Sequence, residues 1–125
     1  MQIAFYFNYV NQSVVLEDLI KINEAINFVY ENIQYSITIK IIIPPNSIIV
    51  INKNGTISFR PALDALLSNQ YKKFLSDPNN LILNISSSHI IYNLAFDKNF
   101  QIVNNINYIS FLYFNPKIIY ISISK

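Results

Sequence analysis

Residues 47 to 60 read Ser47-Ile48-Ile49-Val50-Ile51-Asn52-Lys53-Asn54-Gly55-Thr56-Ile57-Ser58-Phe59-Arg60. Two β-branched runs, 47 to 52 and 56 to 60, flank Lys53-Asn54-Gly55, and Asn-Gly supplies the positive φ that tight hairpin turns require. The stretch predicts an antiparallel hairpin and gives the chain's only glycine a backbone role.

The hairpin sets the frame for its neighbours. Residues 36 to 43 are β-branched without helical spacing, and Pro44-Pro45, which cannot donate to a ladder, are expected to interrupt pairing there. On the other side Pro61 suits a first helical turn and Asp64 a helix start; Leu63, Leu66, Leu67, Phe74 and Leu75 then predict a short helix, ended by residues 76 to 80. From Leu81 the reading is strands, over 81 to 86, 90 to 96, 100 to 103, 108 to 114 and 117 to 124. Their separators are Asp97-Lys98-Asn99, Asn104-Asn105 and Asn115-Pro116. In the last strand Ile119, Ile121 and Ile123 alternate with Tyr120, Ser122 and Ser124, the pattern of a sheet with one buried face.

Toward the N-terminus, residues 2 to 10 read as an aromatic-rich strand, and Asn11-Gln12-Ser13 as a break with a helix cap. From Val15 the apolar positions Leu19, Ile22, Ile26, Val29, Tyr30 and Ile33 recur at three- and four-residue spacings, predicting an amphipathic helix of about 18 residues. Glu17 and Asp18 are expected near its positive start, and with Glu24 and Glu31 on a solvated face. The sum is one α+β domain over residues 1–125, with two helices and a mostly antiparallel sheet.

Composition limits the functions open to such a domain. Isoleucine (25 residues) and asparagine (18) dominate, while glycine, arginine and histidine occur once each. Ile, Asn, Tyr, Phe and Lys have A/T-rich codons, so the bias points to an A/T-rich genome such as that of an organelle, endosymbiont, parasite or virus. Only 13% of residues are charged, about half the usual share, and such a surface favours burial in a larger assembly. The net charge of +2 has the sign for a nucleic-acid partner but not the size to argue one. The N-terminus shows neither a basic n-region with a small-residue cleavage site nor an Arg-rich, acid-poor helix, so no export or import leader is expected there, and no apolar run approaches a membrane span.

Chemistry finds few footholds. Without cysteine there is no thiolate nucleophile and no Cys-based zinc site, and one glycine cannot build a P-loop or a Rossmann fingerprint. The single histidine follows Ser86-Ser87-Ser88; adjacent strand residues face opposite ways, so Ser88 is badly placed for His89 while Ser87 could share its face. The expectation is a protein that is not an enzyme and holds no cofactor or metal. Nine Tyr and nine Phe could stack on single-stranded bases if exposed on a sheet, although strand packing alone accounts for such residues.

Residues 80 to 94, Asn80-Leu81-Ile82-Leu83-Asn84-Ile85-Ser86-Ser87-Ser88-His89-Ile90-Ile91-Tyr92-Asn93-Leu94, resemble the second-repeat signature of the large-subunit ribosomal protein six family: an alternating strand, a Ser-His pair and a returning strand. Ser86 and Ser87 stand where that family has a glycine and an aromatic residue. Residues 41 to 51, with Ile43-Pro44-Pro45, look like its opening passage; 65 to 69 look like its central helix, and 118 to 125 like a late strand, so the resemblance spans roughly 41 to 125. It implies a structural component of a mitochondrial large ribosomal subunit, organelle-encoded, with ribosomal RNA and other ribosomal proteins as partners and neither a small-molecule substrate nor a membrane span. The residues expected to meet RNA are Ser87, Ser88, His89, Lys72, Lys73, Lys98 and Lys125. Two other readings use the same composition: a small viral or bacterial binding protein acting in immunity or anti-defence, with a cytoplasmic location, and an accessory subunit of an organellar respiratory complex.

Overall fold

The hairpin forms as its sequence predicts, and everything else is arranged around it. In the computed structural model the backbone is described for residues 2–114 and 117–124, and side chains for 10–103, 105–114 and 117–124. The element order is α1 (Gln2–Glu31), β1 (Ser36–Ile51), β2 (Thr56–Arg60), α2 (Ala65–Phe74), β3 (Ile82–Ile85), β4 (His89–Tyr92), β5 (Ala95–Phe96), β6 (Phe100–Phe114) and β7 (Ile118–Ser124). The strands form a seven-stranded sheet in the order β3-β4-β2-β1-β6-β7-β5. Every pairing is antiparallel except β5 with β7. The fold is therefore α+β, with two helices and a mostly antiparallel sheet.

The long ladder between β1 and β6 is its spine, running from Ser36 opposite Leu112 to Ile51 opposite Phe100. Pro44 and Pro45 interrupt this ladder without ending the strand, because the register shifts between Ile43 and Ile48 and pairing resumes. Asn46 and Asn105 absorb the irregularity with φ of 61° and 58°, a conformation asparagine tolerates better than most residues. Hence Asn104-Asn105, expected to separate two strands, lies inside the single strand β6. The expected strand 90 to 96 is instead two short ones, β4 and β5.

The largest departure is at the N-terminus, where residues 2 to 10 are the first turns of a 30-residue helix and not a strand. The polar triplet read as a break has other partners. Asn11 Nδ2 donates to Pro45 O at 3.4 Å, and Gln12 Oε1 accepts from Asp64 N at 2.8 Å, so these polar groups tie α1 to the sheet and to the start of α2. A residue whose side chain is satisfied by tertiary contacts no longer competes for its own helix backbone.

Both helices lie on one side of the sheet. The α1 stripe of Val15, Leu19, Ile22, Ile26 and Val29 is fully buried against inward residues of β1 and β6, including Ile41, Ile109 and Phe111. Each such side chain contributes about 1.5–3 kcal/mol by leaving water. The α2 helix is capped by Asp64, whose Oδ1 accepts from Leu67 N at 3.0 Å, so Pro61 stays outside it. Tyr71 of α2 meets Phe59 of β2 edge-on at 5.9 Å between ring centroids.

Three asparagines and two tyrosines inside this layer are paired. Asn23 Nδ2 donates to Ser76 O, Tyr92 Oη donates to Asn23 Oδ1, and Asn79 Nδ2 donates to Asn27 Oδ1, at 2.8, 2.8 and 3.1 Å. Tyr71 Oη donates to Ser86 O at 2.8 Å, and burial pushes the Tyr71 and Tyr92 hydroxyls well above their ordinary range, keeping both protonated as donors. Tyr71→Phe is expected to cost about 1–2 kcal/mol, read as a lower urea midpoint at unchanged slope. An unchanged midpoint would show that the bond adds nothing to the fold.

Asp18 also departs from expectation. It lies mid-helix, 2% exposed, with Oδ1 accepting from Ile42 N at 3.2 Å, so it is a core residue and not part of a solvated face. The remaining apolar stripe is as expected, although Ile33 falls past the helix end and is exposed.

Candidate nucleic-acid interface

With both helices on one side, no described element covers the other face of the sheet. Period-two alternation decides which side chains occupy it: along β1 Ile37, Ile39, Ile41 and Ile43 turn inward, while Ser36, Thr38, Lys40 and Ile42 turn outward. The register then places outward residues in rows. Lys40 stands beside Tyr108 and Ser124, Thr38 beside Ser110 and Ser122, and Ser36 beside Leu112 and Tyr120. Thr38 Oγ1 and Ser110 Oγ share a hydrogen bond of 2.6 Å across the strands. Tyr108 and Tyr120 are 42% and 44% exposed, and Phe114 packs edge-on against Tyr120 at 5.8 Å. Strand spacing puts the two tyrosines about 14 Å apart.

Beyond the Pro44-Pro45 irregularity the same face continues. Ile48 lies between Arg60 and Val103, and Val50 between Ser58 and Gln101, with His89 beside Ser58. Three shallow depressions open here. One of 320 Å³ runs along Leu112, Tyr120 and Ser122, one of 290 Å³ lies among Ser58, Arg60, Ser88 and His89, and one of 430 Å³ lies among Asn46, Ser47, Arg60 and Val103.

The electrostatics of this face follow from where the acids are. All seven carboxylate side chains lie off the strands: Glu17, Asp18, Glu24 and Glu31 on α1, and Asp64, Asp77 and Asp97 in connections. The connection acids accept from backbone N–H groups, Asp64 from Leu67, Asp77 from Leu81 and Ile82, and Asp97 from Ile121. Lys40 and Arg60 are therefore unopposed on the described outer face, which combines cations, hydroxyls and exposed aromatic rings.

The expected RNA residues divide between regions. Ser88 and His89 line the depression shared with Arg60, and Ser87 sits exposed in the preceding turn, its carbonyl accepting from Leu63 N. The structure does not add Lys72 and Lys73 to this group: they occupy the exposed last turn of α2, in the helix layer. Lys98 belongs to the opposite end of the sheet, next to Asn99, whose Oδ1 accepts from Lys53 N at the hairpin turn. Lys125 lies outside the described residues. Ser86, not Ser87, is the serine that binds His89, with Oγ and Nδ1 2.9 Å apart. Sequence reasoning missed Lys40, Arg60, Tyr108 and Tyr120; outward position was readable for each, but their grouping required the strand order.

Among the described residues no three His, Asp or Glu side chains are placed to hold a metal ion, and no helix is long and apolar enough to cross a membrane. Compared with known protein families, curated proteins and solved structures, the chain matches none of them.

Proposed function

We propose that this chain is a non-catalytic component of a ribonucleoprotein, meeting RNA through the outer face of its sheet, and that the particle is the large subunit of a mitochondrial ribosome. One observation carries the reading: a sheet face that no described element covers, displaying Tyr108, Tyr120 and Phe114 beside Lys40 and Arg60, with no carboxylate on any described strand. Stacking on exposed aromatic rings is worth about 1–3 kcal/mol per base and needs little net charge, which suits a chain whose charge is only +2. The exposed apolar residues Ile42, Val103 and Ile106 on the same side fit neighbouring protein in such a particle. The Ser88-His89 strand motif and the A/T-biased composition support the ribosomal assignment.

The test is sedimentation of the tagged protein from its native source, with sequencing of any RNA that travels with it. Comigration with large-subunit ribosomal RNA is the expected result, and recovery in a light, RNA-free fraction would remove the ribosomal reading. In vitro, the double variant Tyr108→Ala/Tyr120→Ala is expected to weaken single-stranded RNA binding at least thirtyfold, two rings at roughly 1 kcal/mol or more each. Its thermal melt should stay near that of the parent, since both side chains are exposed. Unaltered affinity would remove the stacking role.

A further inference from the structure

We infer that Arg60, with His89 and Ser58 beside it, forms a phosphodiester anchor on the outer face. The inference rests on the RNA reading above and adds the chemistry of one subsite to it.

Arg60 is the chain's only arginine, exposed at the end of β2, where it lines both depressions at this end of the sheet. Among the described residues its guanidinium has neither an ion-pair nor a hydrogen-bond partner. Its planar fork of N–H donors fits two oxygens of one phosphate, which a lysine cannot reproduce.

The hydrogen-bond network fixes what His89 offers. Ser86 Oγ accepts from His89 N at 3.1 Å and from Ser88 N at 3.2 Å, which occupies both of its lone pairs. Two acceptors lie within reach of its one proton, His89 Nδ1 at 2.9 Å and His89 O at 3.5 Å, and the shorter contact assigns Nδ1 as the acceptor and the ring proton to Nε2. The ring lining the depression therefore carries its N–H donor on Nε2. The Ser58 hydroxyl, opposite His89 in the β2–β4 ladder, adds another donor to the same depression.

Arg60, His89 and Ser58 thus make a set that is donor-dominated and free of carboxylates, which is the complement of a phosphodiester.

The experiment measures fluorescence anisotropy of two labelled strands of equal length between 50 and 200 mM salt: single-stranded RNA, and an abasic sugar-phosphate strand that cannot stack. Arg60→Met is expected to weaken both by about tenfold and to flatten the dependence of log affinity on log salt by roughly 0.7, the share of one phosphate on a single strand. Arg60→Lys should keep the salt slope while losing affinity, because charge is retained and the fork is not. Ser86→Ala, which releases the His89 tautomer, should weaken binding of the abasic strand with the salt slope unchanged. Parent-like affinity and slope in Arg60→Met, for a protein that loses RNA when Tyr108 and Tyr120 are replaced, would overturn the anchor and leave the stacking face standing. Arg60-dependent binding of the abasic strand, by a protein that sediments free of RNA in its native source, would keep the anchor and remove the ribosomal reading.

Discussion

Gly55→Ala is expected to lower stability by about 4–6 kcal/mol, enough to remove most of the 5–15 kcal/mol typical of a folded domain. Gly55 holds φ at +98°, where a side chain costs about 1–3 kcal/mol, but this is the smaller part of the effect. A Cβ here would press on Leu94 O and come within 2.7 Å of Tyr92 O, and both obstacles are backbone. Those carbonyls belong to the segment that leaves β4, crosses the tip of the hairpin and reaches β5. The crossing is held by Tyr92 N donating to Gly55 O at 2.9 Å and Phe96 N donating to Lys53 O at 3.1 Å. Making room for a methyl group pushes that segment off the tip, losing roughly 1 kcal/mol for each bond and loosening the buried Tyr92 and Phe96. Thermal melting should fall by 15 °C or more. Asn54→Ala is the control: it loses only the bond from Thr56 N to Asn54 Oδ1 and should cost about 1 kcal/mol. If Gly55→Ala melted within a few degrees of the parent, the close approach would not constrain the fold.

The same glycine shows what the sequence could and could not convey. Its turn was legible because Asn-Gly between two β-branched runs is a local signal, and local signals need no knowledge of the rest of the chain. Its contact with Leu94, 39 residues away, was not, since nothing in either segment encodes the other. The N-terminus failed for a related reason. Residues 2 to 10 carry apolar and aromatic residues at spacings compatible with either period, and Asn11-Gln12-Ser13 looks like a break until Pro45 and the Asp64 backbone are seen to occupy Asn11 and Gln12. Asn104-Asn105 was misread in the same way, as a turn instead of an irregularity within β6 that faces the one at Pro44-Pro45.

The candidate interface was half legible. Alternation in the last strand correctly turned Tyr120, Ser122 and Ser124 outward, and the Ser88-His89 pair does line the face. Lys72, Lys73 and Lys98 do not join that pair, because a positive charge in the sequence carries no information about which layer it will occupy. Arg60 reads in sequence only as the end of a hairpin strand, and its neighbour His89 comes from another strand, placed beside Ser58 by the β2–β4 register.

Asp18→Asn is expected to stabilise the protein at pH 8 by about 2–3 kcal/mol while leaving it nearly unchanged at pH 4. Burial pushes the Asp18 carboxyl up to about 7, against the stabilising Ile42 N–H and the Lys21 charge and with a smaller push from Glu17. One oxygen accepts from Ile42 N; the other, Oδ2, is buried without a partner, so an ionised carboxylate is poorly compensated there. The folded pKa lies above the ordinary aspartate value near 3.9, so between pH 4 and pH 7 the folded state holds more protons than the unfolded one. Asp18 therefore does no harm below about pH 4, costs progressively more as pH rises through 7, and has its full cost above that. A rise from about 3.9 to about 7, at about 1.36 kcal/mol for each tenfold in proton affinity, sets an upper bound near 4 kcal/mol, reduced by whatever relaxation lets water reach the carboxylate. Asn keeps the acceptor for Ile42 N and matches the shape of the protonated acid, so it should erase this dependence without repacking α1 against β1. Urea denaturation of both proteins at pH 4, 6 and 8 reads the effect directly. A difference between them that does not change with pH, or a variant less stable than the parent at pH 8, would show that Asp18 is compensated as a carboxylate in the folded protein.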